Sequence, residues 1–264
     1  MNSTGFIGAG NMGGAILSGM IAAKKSDACN IYVCDKVIKD EIKALGVNIA
    51  GLEETVNASD CIILAVKPNV MFDVIEEIKN KCDTKGKLFV SIAAGIKLCD
   101  LCAALGTGKV VRVMPNLCLQ ALEGMSVLCK GDDVTEEEFE FANGIFAASG
   151  KTALVKEELI DSCTAINGSG PAYVFMFMEA LADAGVKHGI DRKTAYELSA
   201  QTVLGSAAMM LKTGLAPAVL KDMVCSPGGT TIEAVQALED CGMRSAIMAA
   251  VDACAQKAAK MGNK

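Results

Sequence analysis

Three glycines near the start of the chain have a spacing that could position a phosphate group. Gly8, Gly10 and Gly13 directly follow a short apolar run and directly precede a helical pattern, which is the context that a GxGxxG motif needs before it indicates dinucleotide binding. The first glycine allows a tight turn, the second lets the backbone approach a pyrophosphate, and the third lets helix and strand pack closely. An ordinary strand–helix turn is the alternative, but the context favours a bound cofactor. The residues expected to line it here are Ile7, Gly8, Ala9, Gly10, Asn11, Met12 and Gly13.

The second predicted strand ends at Asp35 and Lys36, two charged residues that bear on the choice of cofactor. An acid at this position can accept hydrogen bonds from the adenosine ribose of NAD, and it would repel the 2′-phosphate of NADP. Lys36 could compensate that repulsion. The residues therefore predict NADPH or NADH and leave the choice between them open.

A second candidate site lies far along the chain, in the segment Ser226-Pro227-Gly228-Gly229-Thr230-Thr231, which leads into a predicted helix. Free backbone N–H groups at a helix start suit a carboxylate, and the two glycines permit the backbone to turn toward a ligand. The alternative is simple N-capping of the helix by Ser226 or Thr230. Both interpretations can hold together.

The elements that must position these two segments follow two different patterns. Up to about Glu158, apolar runs of strand length alternate with helical patterns, which predicts a parallel sheet covered by helices on both faces. Beyond it only helical patterns remain, and Asp191 is expected to cap one of them. We therefore predict an α/β protein with a dinucleotide-binding domain over residues 1–158 and an all-α domain over residues 159–264. Strands are expected at 5–8, 31–34, 61–66, 88–92 and 110–113, and helices at 12–23, 39–45, 70–80, 98–105, 172–188, 193–213, 217–224, 231–239 and 243–260.

One helical stretch, Val174-Phe175-Met176-Phe177-Met178, is apolar on every side. A helix without a polar face is normally buried all round. In so small a helical domain, this pattern favours interleaving with a partner subunit.

The composition excludes several classes of function. The net charge is -6 at pH 7 and no basic block is present, so nucleic acid is not expected as a partner. No uncharged apolar run reaches the roughly 18 residues that span a bilayer, and no signal-peptide pattern precedes the first predicted strand. We expect no membrane association and a cytoplasmic location.

The twelve cysteines and the single histidine offer tempting but weak candidates for chemistry. Scattered cysteines in a chain of this size indicate reduced thiols. Cys99 and Cys102 have CxxC spacing, but no second close pair completes a zinc site, so no metal is predicted. His188 lies in the last turn of a predicted helix, where a cation is favourable against the helix dipole, and we assign it a structural role.

Several motifs, in order along the chain, resemble those of one enzyme family, the pyrroline-5-carboxylate reductases. The resemblance runs almost from end to end. The motifs are Phe6-Ile7-Gly8-Ala9-Gly10-Asn11-Met12-Gly13, Ala65-Val66-Lys67-Pro68, Ser91-Ile92-Ala93-Ala94-Gly95, Arg112-Val113-Met114-Pro115-Asn116, Gly168-Ser169-Gly170-Pro171-Ala172-Tyr173 and Lys221-Asp222-Met223-Val224-Cys225-Ser226-Pro227-Gly228-Gly229-Thr230-Thr231.

The resemblance implies reduction of L-1-pyrroline-5-carboxylate, a cyclic imine that carries a carboxylate, to L-proline in the last step of proline biosynthesis. It implies a Rossmann domain followed by a helical domain that interlocks in a homodimer, and many members assemble further, commonly as a decamer of five dimers. By matched position, the cofactor would also be lined by Ala65, Val66, Lys67, Pro68, Ala93 and Ala94.

The resemblance also places the substrate. Gly229, Thr230 and Thr231 would hold its carboxylate and ring nitrogen, and Thr231 is the expected catalytic residue because its hydroxyl could bond the imine nitrogen and relay a proton. Asn116 ends a predicted strand, where α/β proteins bind ligands, and is expected to contact the cofactor. Three positions depart from the family pattern: Leu117-Cys118 replaces a common Thr-Pro, and Leu52 stands where some members carry Asn.

Two other functions use the same scaffold. A β-hydroxyacid-type dehydrogenase needs a catalytic lysine on the helix that follows Gly168-Ser169-Gly170, and that helix has no lysine before Lys187. A non-catalytic NAD(P)-sensing protein would have no physical need for the complete segment from Pro227 to Thr231. Both alternatives are therefore less favoured than the reductase.

Overall fold

The computed structural model describes residues 1–261, and these form two compact units. The first unit comprises Met1–Ser169 together with the chain from Cys254 onward, and the second comprises Gly170–Ala253. The predicted helical domain, 159–264, includes residues 262–264, which lie outside the described residues.

The first unit is built on an eight-stranded sheet with the order β3-β2-β1-β4-β5-β6-β7-β8. Its central strands are entirely apolar or nearly so, as expected for strands covered on both faces. The strands are β1 (Thr4–Ile7), β2 (Ile31–Cys34), β3 (Asn48–Ile49), β4 (Cys61–Leu64), β5 (Leu88–Ser91), β6 (Val110–Met114), β7 (Gly124–Lys130) and β8 (Gly150–Leu154).

All five predicted strands are present, and they pair in parallel as predicted. The expectation of a fully parallel sheet is wrong at one edge, where β7 pairs antiparallel with β6 and β8 follows β7 in parallel. The reason is the short connection over residues 115–123, since a parallel crossover usually needs a dozen or more residues.

Helices cover both faces of this sheet. The predicted helices 12–23, 70–80 and 98–105 are present within a residue or two, whereas the predicted 39–45 helix is a single turn that stops before Gly46, whose φ is +75°. The helices of the unit are α1 (Asn11–Ala22), α2 (Asp40–Lys43), α3 (Leu52–Asn57), α4 (Met71–Lys81), α5 (Leu98–Leu105), α6 (Glu136–Ala147) and α7 (Ile160–Asn167).

The core of the first unit lies on the two sides of the sheet. Ile63 packs with Leu17 and Phe146 on one face, while Ile62 and its neighbours pack against α4 and α5 on the other. Successive residues of β4 alternate between the two clusters, because side chains alternate across a strand. The side chains of Ile63, Leu17 and Phe146 are all buried.

The second unit contains only helices, as predicted. Asp191 caps one of them by accepting a hydrogen bond from the Thr194 N–H at 3.1 Å, and Gly214 ends the same helix with φ +68°. No helix within residues 1–261 is long and apolar enough to cross a membrane. The helices are α8 (Gly170–Lys187), α9 (Arg192–Thr213), α10 (Pro217–Val224), α11 (Thr230–Asp240) and α12 (Met243–Met261), and the part of α12 from Cys254 onward belongs to the first unit.

The second unit buries very little of its own surface. Within residues 170–253, all of which the structure describes, only Ala182, Ala195 and Ser199 are buried. Phe175 is 53% exposed and Met176 is 70% exposed. The apolar stretch of α8 therefore lies on the surface of the single chain, where a partner subunit could cover it.

Candidate functional site

The glycine turn lies where β1 ends and α1 begins. Gly8 has φ +100°, and its N–H donates to the carbonyl oxygen of Cys34 at 2.8 Å. A Cβ atom on Gly8 would lie 2.7 Å from the carbonyl oxygen of Ala65. Both the left-handed backbone and the close approach of β4 therefore require glycine at this position.

The other two glycines have distinct structural effects. A Cβ atom on Gly13 would lie 2.5 Å from the Gly8 carbonyl oxygen, so this residue allows helix and strand to pack closely. At Gly10, by contrast, a Cβ atom would meet nothing within 4 Å. Gly10 is also the N-cap of α1 and provides no side-chain cap. An open space above an uncapped helix start fits a pyrophosphate group, because the first N–H groups of a helix have no partners within it.

Asp35 fixes the glycine turn to the end of β2. Its Oδ2 accepts a hydrogen bond from the Ala9 N–H at 2.6 Å, and its Oδ1 accepts one from the Val37 N–H at 3.3 Å. Lys36 is exposed. Burial raises the pKa of the neighbouring Cys34, and the Asp35 carboxylate raises it further, so this thiol stays protonated and is unsuited to nucleophilic chemistry.

Lys39 is a residue at the turn that sequence reasoning missed. Its Nζ donates to Asn11 Oδ1 at 2.9 Å and so places an ammonium group beside the start of α1. The two residues are 28 positions apart, and no motif links them. Only the folded chain reveals the contact.

Two further predicted segments reach the same edge of the sheet. The Ala65 N–H donates to the Ile7 carbonyl oxygen at 2.9 Å, so the chain after β4 lies beside the glycine turn. The Ile92 N–H donates to the Leu64 carbonyl oxygen at 3.2 Å, so the chain after β5 lies beside the end of β4. Ala65 and Val66 are half-buried, Ala93 is buried, and the exposed positions are Lys67, Pro68 and Ala94.

Asn116 lies at the end of β6, as predicted, but its amide is engaged within the protein. Its Nδ2 donates to the carbonyl oxygen of Asn167 at 3.0 Å, and its Oδ1 accepts the Met125 N–H at 3.2 Å. Asn167 in turn donates to the carbonyl oxygens of Met114 and Met125. The two amides thus bind the ends of β6, β7 and α7 together, and contact of Asn116 with the cofactor stays a prediction.

Asn167 was also missed from the sequence. Its position directly before Gly168-Ser169-Gly170 was the available signal. Its Oδ1 is buried and has no hydrogen-bond partner within residues 1–261.

The predicted substrate segment forms an uncapped helix start in the second unit. Gly228 has φ +66°, Gly229 is the N-cap of α11, and no side chain caps the helix. The Gly229 N–H donates to the Ser226 carbonyl oxygen at 3.0 Å. Capping by Ser226 or Thr230 is therefore wrong as a description of this helix, and its first N–H groups remain available.

The candidate residues thus fall into two groups, one in each compact unit. The residues predicted to line the cofactor, from Ile7 to Asn116, belong to the first unit. Gly229, Thr230 and Thr231 belong to the second; Thr230 is exposed, while Gly229 and Thr231 are half-buried. His188 is exposed just after the end of α8, so its structural role remains a prediction.

The sheet order reverses at β1, which lies between β2 and β4, and the glycine turn lies at this switch point. That combination defines a Rossmann-type dinucleotide-binding protein. Two family models match the chain: an F420-dependent NADP oxidoreductase model over residues 3–95, and a pyrroline-5-carboxylate reductase dimerisation model over residues 157–261.

Similarity to individual proteins extends over the whole chain. The pyrroline-5-carboxylate reductase of Methanosarcina acetivorans is 43% identical, with 98% of each chain covered. That of Escherichia coli is 44% identical over 97% of each. The crystal structure of the Plasmodium falciparum pyrroline carboxylate reductase with NADP bound has 34% identity and a TM-score of 0.89, with coverage of 99% of this chain and 98% of that one. The chain therefore belongs to the pyrroline-5-carboxylate reductase family, whose members are NAD(P)-dependent oxidoreductases. None of these comparisons favours the dehydrogenase or the sensing protein.

Proposed function

We propose that this chain reduces L-1-pyrroline-5-carboxylate to L-proline with NADH or NADPH, as the last step of proline biosynthesis. The observation that carries the proposal is the uncapped start of α11 at Gly229, in a chain whose glycine turn also fits a dinucleotide. A small anion at one site and a nicotinamide cofactor at the other are what this reaction requires.

The chemistry asks little of the protein besides placement and charge stabilisation. When bound, the reduced nicotinamide supplies a hydride to the imine carbon. The N–H groups at the start of α11 hold the substrate carboxylate, aided by the helix dipole. Thr231 accepts a hydrogen bond from the protonated imine nitrogen and later donates one to the amine that forms, so its hydroxyl relays the proton at that atom.

The proposed cofactor site comprises the segment from Ile7 to Gly13, the charged pair at the end of β2 and the loops after β4, β5 and β6. Its support is that these segments end at one edge of the sheet around an open glycine cradle. The residues are Ile7, Gly8, Ala9, Gly10, Asn11, Met12, Gly13, Asp35, Lys36, Ala65, Val66, Lys67, Pro68, Ala93, Ala94 and Asn116.

We also propose a homodimer formed by the helical domain, assembled further as a decamer of five dimers. The dimerisation model matched from residue 157 supports the homodimer and a domain boundary between residues 158 and 159. The decamer rests on the resemblance to the family. The exposed apolar face of α8 supports it as well. All twelve cysteines are free thiols, which supports a reducing compartment such as the cytoplasm.

The direct test follows absorbance at 340 nm with purified protein. NADH or NADPH should be oxidised only after pyrroline-5-carboxylate is added, and no change with either cofactor would overturn the proposal. Thr231→Ala should lower turnover by about 10²-fold or more, the usual range for lost proton-transfer assistance, with cofactor affinity retained.

A matched control is Thr202→Ala, which removes an exposed hydroxyl that bonds its own helix at the Leu198 carbonyl oxygen. Its turnover should stay close to that of the unaltered protein. A collapse of cofactor affinity in Thr231→Ala would contradict the substrate role of Thr231.

A further inference from the structure

Asp35 occupies the position that distinguishes the two nicotinamide cofactors. Both of its carboxylate oxygens accept backbone N–H groups, one from Ala9 in the glycine turn and one from Val37 in its own loop. These bonds hold the carboxylate in place at the end of β2. Each oxygen keeps a second lone pair, so the group can still accept hydrogen bonds from a ribose.

The lysine contacts that the structure shows near this carboxylate are made to other residues. Lys39 is the lysine that the structure ties to the turn, and its ammonium is engaged by Asn11 at the start of α1, on the pyrophosphate side of the motif. Lys36 is exposed. Within α2, the Asp40 carboxylate pairs with Lys43 at 2.7 Å, and Glu41 adds a further negative charge.

The neighbouring loop adds more negative charge. The Ala50 N–H donates to the carbonyl oxygen of Val33 at 3.1 Å, which keeps the chain after β3 beside the end of β2. Helix α3 begins there, and Glu53 and Glu54 lie exposed in its first turn. The surroundings of the predicted ribose position are therefore net acidic.

We propose that Asp35 makes the cofactor site of this chain selective for NADH over NADPH, with the ribose hydroxyls as its ligands. A 2′-phosphate would place two negative charges against a carboxylate that cannot turn away without releasing the glycine turn. This inference rests on the proposed function for its biological meaning, but it concerns cofactor binding and is testable without the substrate.

The experiment measures the dissociation constants of NADH and NADPH for the full chain by cofactor fluorescence or titration calorimetry at low salt. We expect the dissociation constant of NADH to be at least about 10-fold lower than that of NADPH, since repulsion between like charges at close range weakens binding by this factor or more. The ratio should shrink as salt rises, because exposed charges are screened.

Two variants locate the effect. Asp35→Asn and Asp35→Ser keep a hydrogen-bond acceptor and remove the charge, and either should bring the NADH-to-NADPH affinity ratio to within about 3-fold of unity. The matched control is Asp83→Asn. Like Asp35, Asp83 accepts the backbone N–H of the residue two positions on, here Lys85 at 3.0 Å. It lies in the connection before β5, at the amino-terminal ends of the strands, whereas the glycine turn lies at their carboxyl-terminal ends. Its ratio should equal that of the unaltered protein.

Each outcome has a definite meaning. Equal or tighter binding of NADPH by the unaltered protein overturns the inference, as does binding of neither cofactor. A clear NADH preference in a protein that leaves pyrroline-5-carboxylate unreduced would support the inference and overturn the proposed function, whereas rapid reduction with equal use of both cofactors would do the reverse.

Discussion

The two units of this chain differ in how much of their apolar side chains they bury. In the first, Phe6, Ile63 and Phe89 have no exposed surface at all. In the second, Phe175 and Met176 are more than half exposed although they lie in the middle of a long helix. The comparison teaches that a regular helix is easily formed without a core, whereas a parallel sheet is found only where helices cover both faces.

The difference has an energetic consequence. Burying one large apolar side chain contributes about 1.5–3 kcal/mol relative to leaving it exposed. The first unit obtains this contribution from its own sheet and helices. The second unit can obtain it only when another surface covers α8, which is why the proposed homodimer matters for stability as well as for assembly.

The largest effect is expected for Met176→Lys, which places a charge in the apolar stretch of α8 that the proposed homodimer would cover. If a partner covers this residue, the change should cost about 2 kcal/mol or more of association free energy, which is about 30-fold in the dissociation constant. Size-exclusion chromatography with light scattering over a concentration series measures it. Met176→Leu is the matched control, and it should assemble normally because it keeps an apolar side chain of similar volume. A stable monomer of the unaltered chain would contradict the proposed dimer.

The core of the first unit is tested by Gly19→Ala in α1. The new Cβ would overlap the side chain of Ser149, with the two Cβ atoms 2.9 Å apart. Overpacking of this kind typically costs about 1–3 kcal/mol, and urea unfolding should report a loss in that range.

Gly144→Ala is the matched control for that change. Gly144 lies inside α6, and a Cβ there would meet no atom within 4 Å. This variant should be neutral or more stable by about 1 kcal/mol, because alanine is the better helix former. Equal losses in the two variants would mean that the close approach at Ser149 is not what limits position 19.

The smallest effect is expected at Asp60, which joins the chain start to the sheet. Its carboxylate accepts the N–H groups of Asn2 at 2.8 Å and Ser3 at 3.2 Å. The Asn2 bond is the main reason that the pKa of Asp60 lies below its ordinary value, with partial burial opposing the shift and Ser3 adding to it.

The pKa of Asp60 is lower in the folded protein than in the unfolded chain. This carboxylate therefore stabilises the fold at pH values above the ordinary pKa of an aspartate, and the stabilisation is lost as the pH falls through the pKa of the folded state. Asp60→Asn should therefore lower the unfolding midpoint slightly at pH 7. The difference should close below about pH 4, as measured by thermal unfolding across a pH series. An unchanged difference down to pH 3 would show that charge is not its origin.

Much of the fold could be predicted because its signals are local. The helix Pro217–Val224 and the cap at Asp191 were predicted correctly from proline, aspartate and apolar spacing. Helix α6 was missed although its capping box, Thr135 with Glu138, is visible in the sequence. Strands β3, β7 and β8 were missed. The first and last of these lie at the edges of the sheet, where the pattern is short or mixed in polarity and carries little periodicity. Strand β7 lies between β6 and β8 and was missed although most of its residues are buried.

The candidate sites divide in the same way. The glycine turn, Asp35 and the segment that ends at Thr231 could be found because each is a contiguous motif. The contacts of Lys39 with Asn11 and of Asn167 with Asn116 could not, because they join residues 28 and 51 positions apart.

By itself, the sequence determined that a dinucleotide turn opens this chain, that helices alone follow about residue 158, and that the whole resembles one reductase family. These features depend on glycine conformations, apolar periodicity and ordered motifs, all of which are local. Only the tertiary structure decided that Asp35 is fixed by two backbone N–H groups, that Lys39 is engaged by Asn11, and that the apolar stretch of α8 is left uncovered. The physical reason is that hydrogen bonding and burial depend on which distant segments fold against one another.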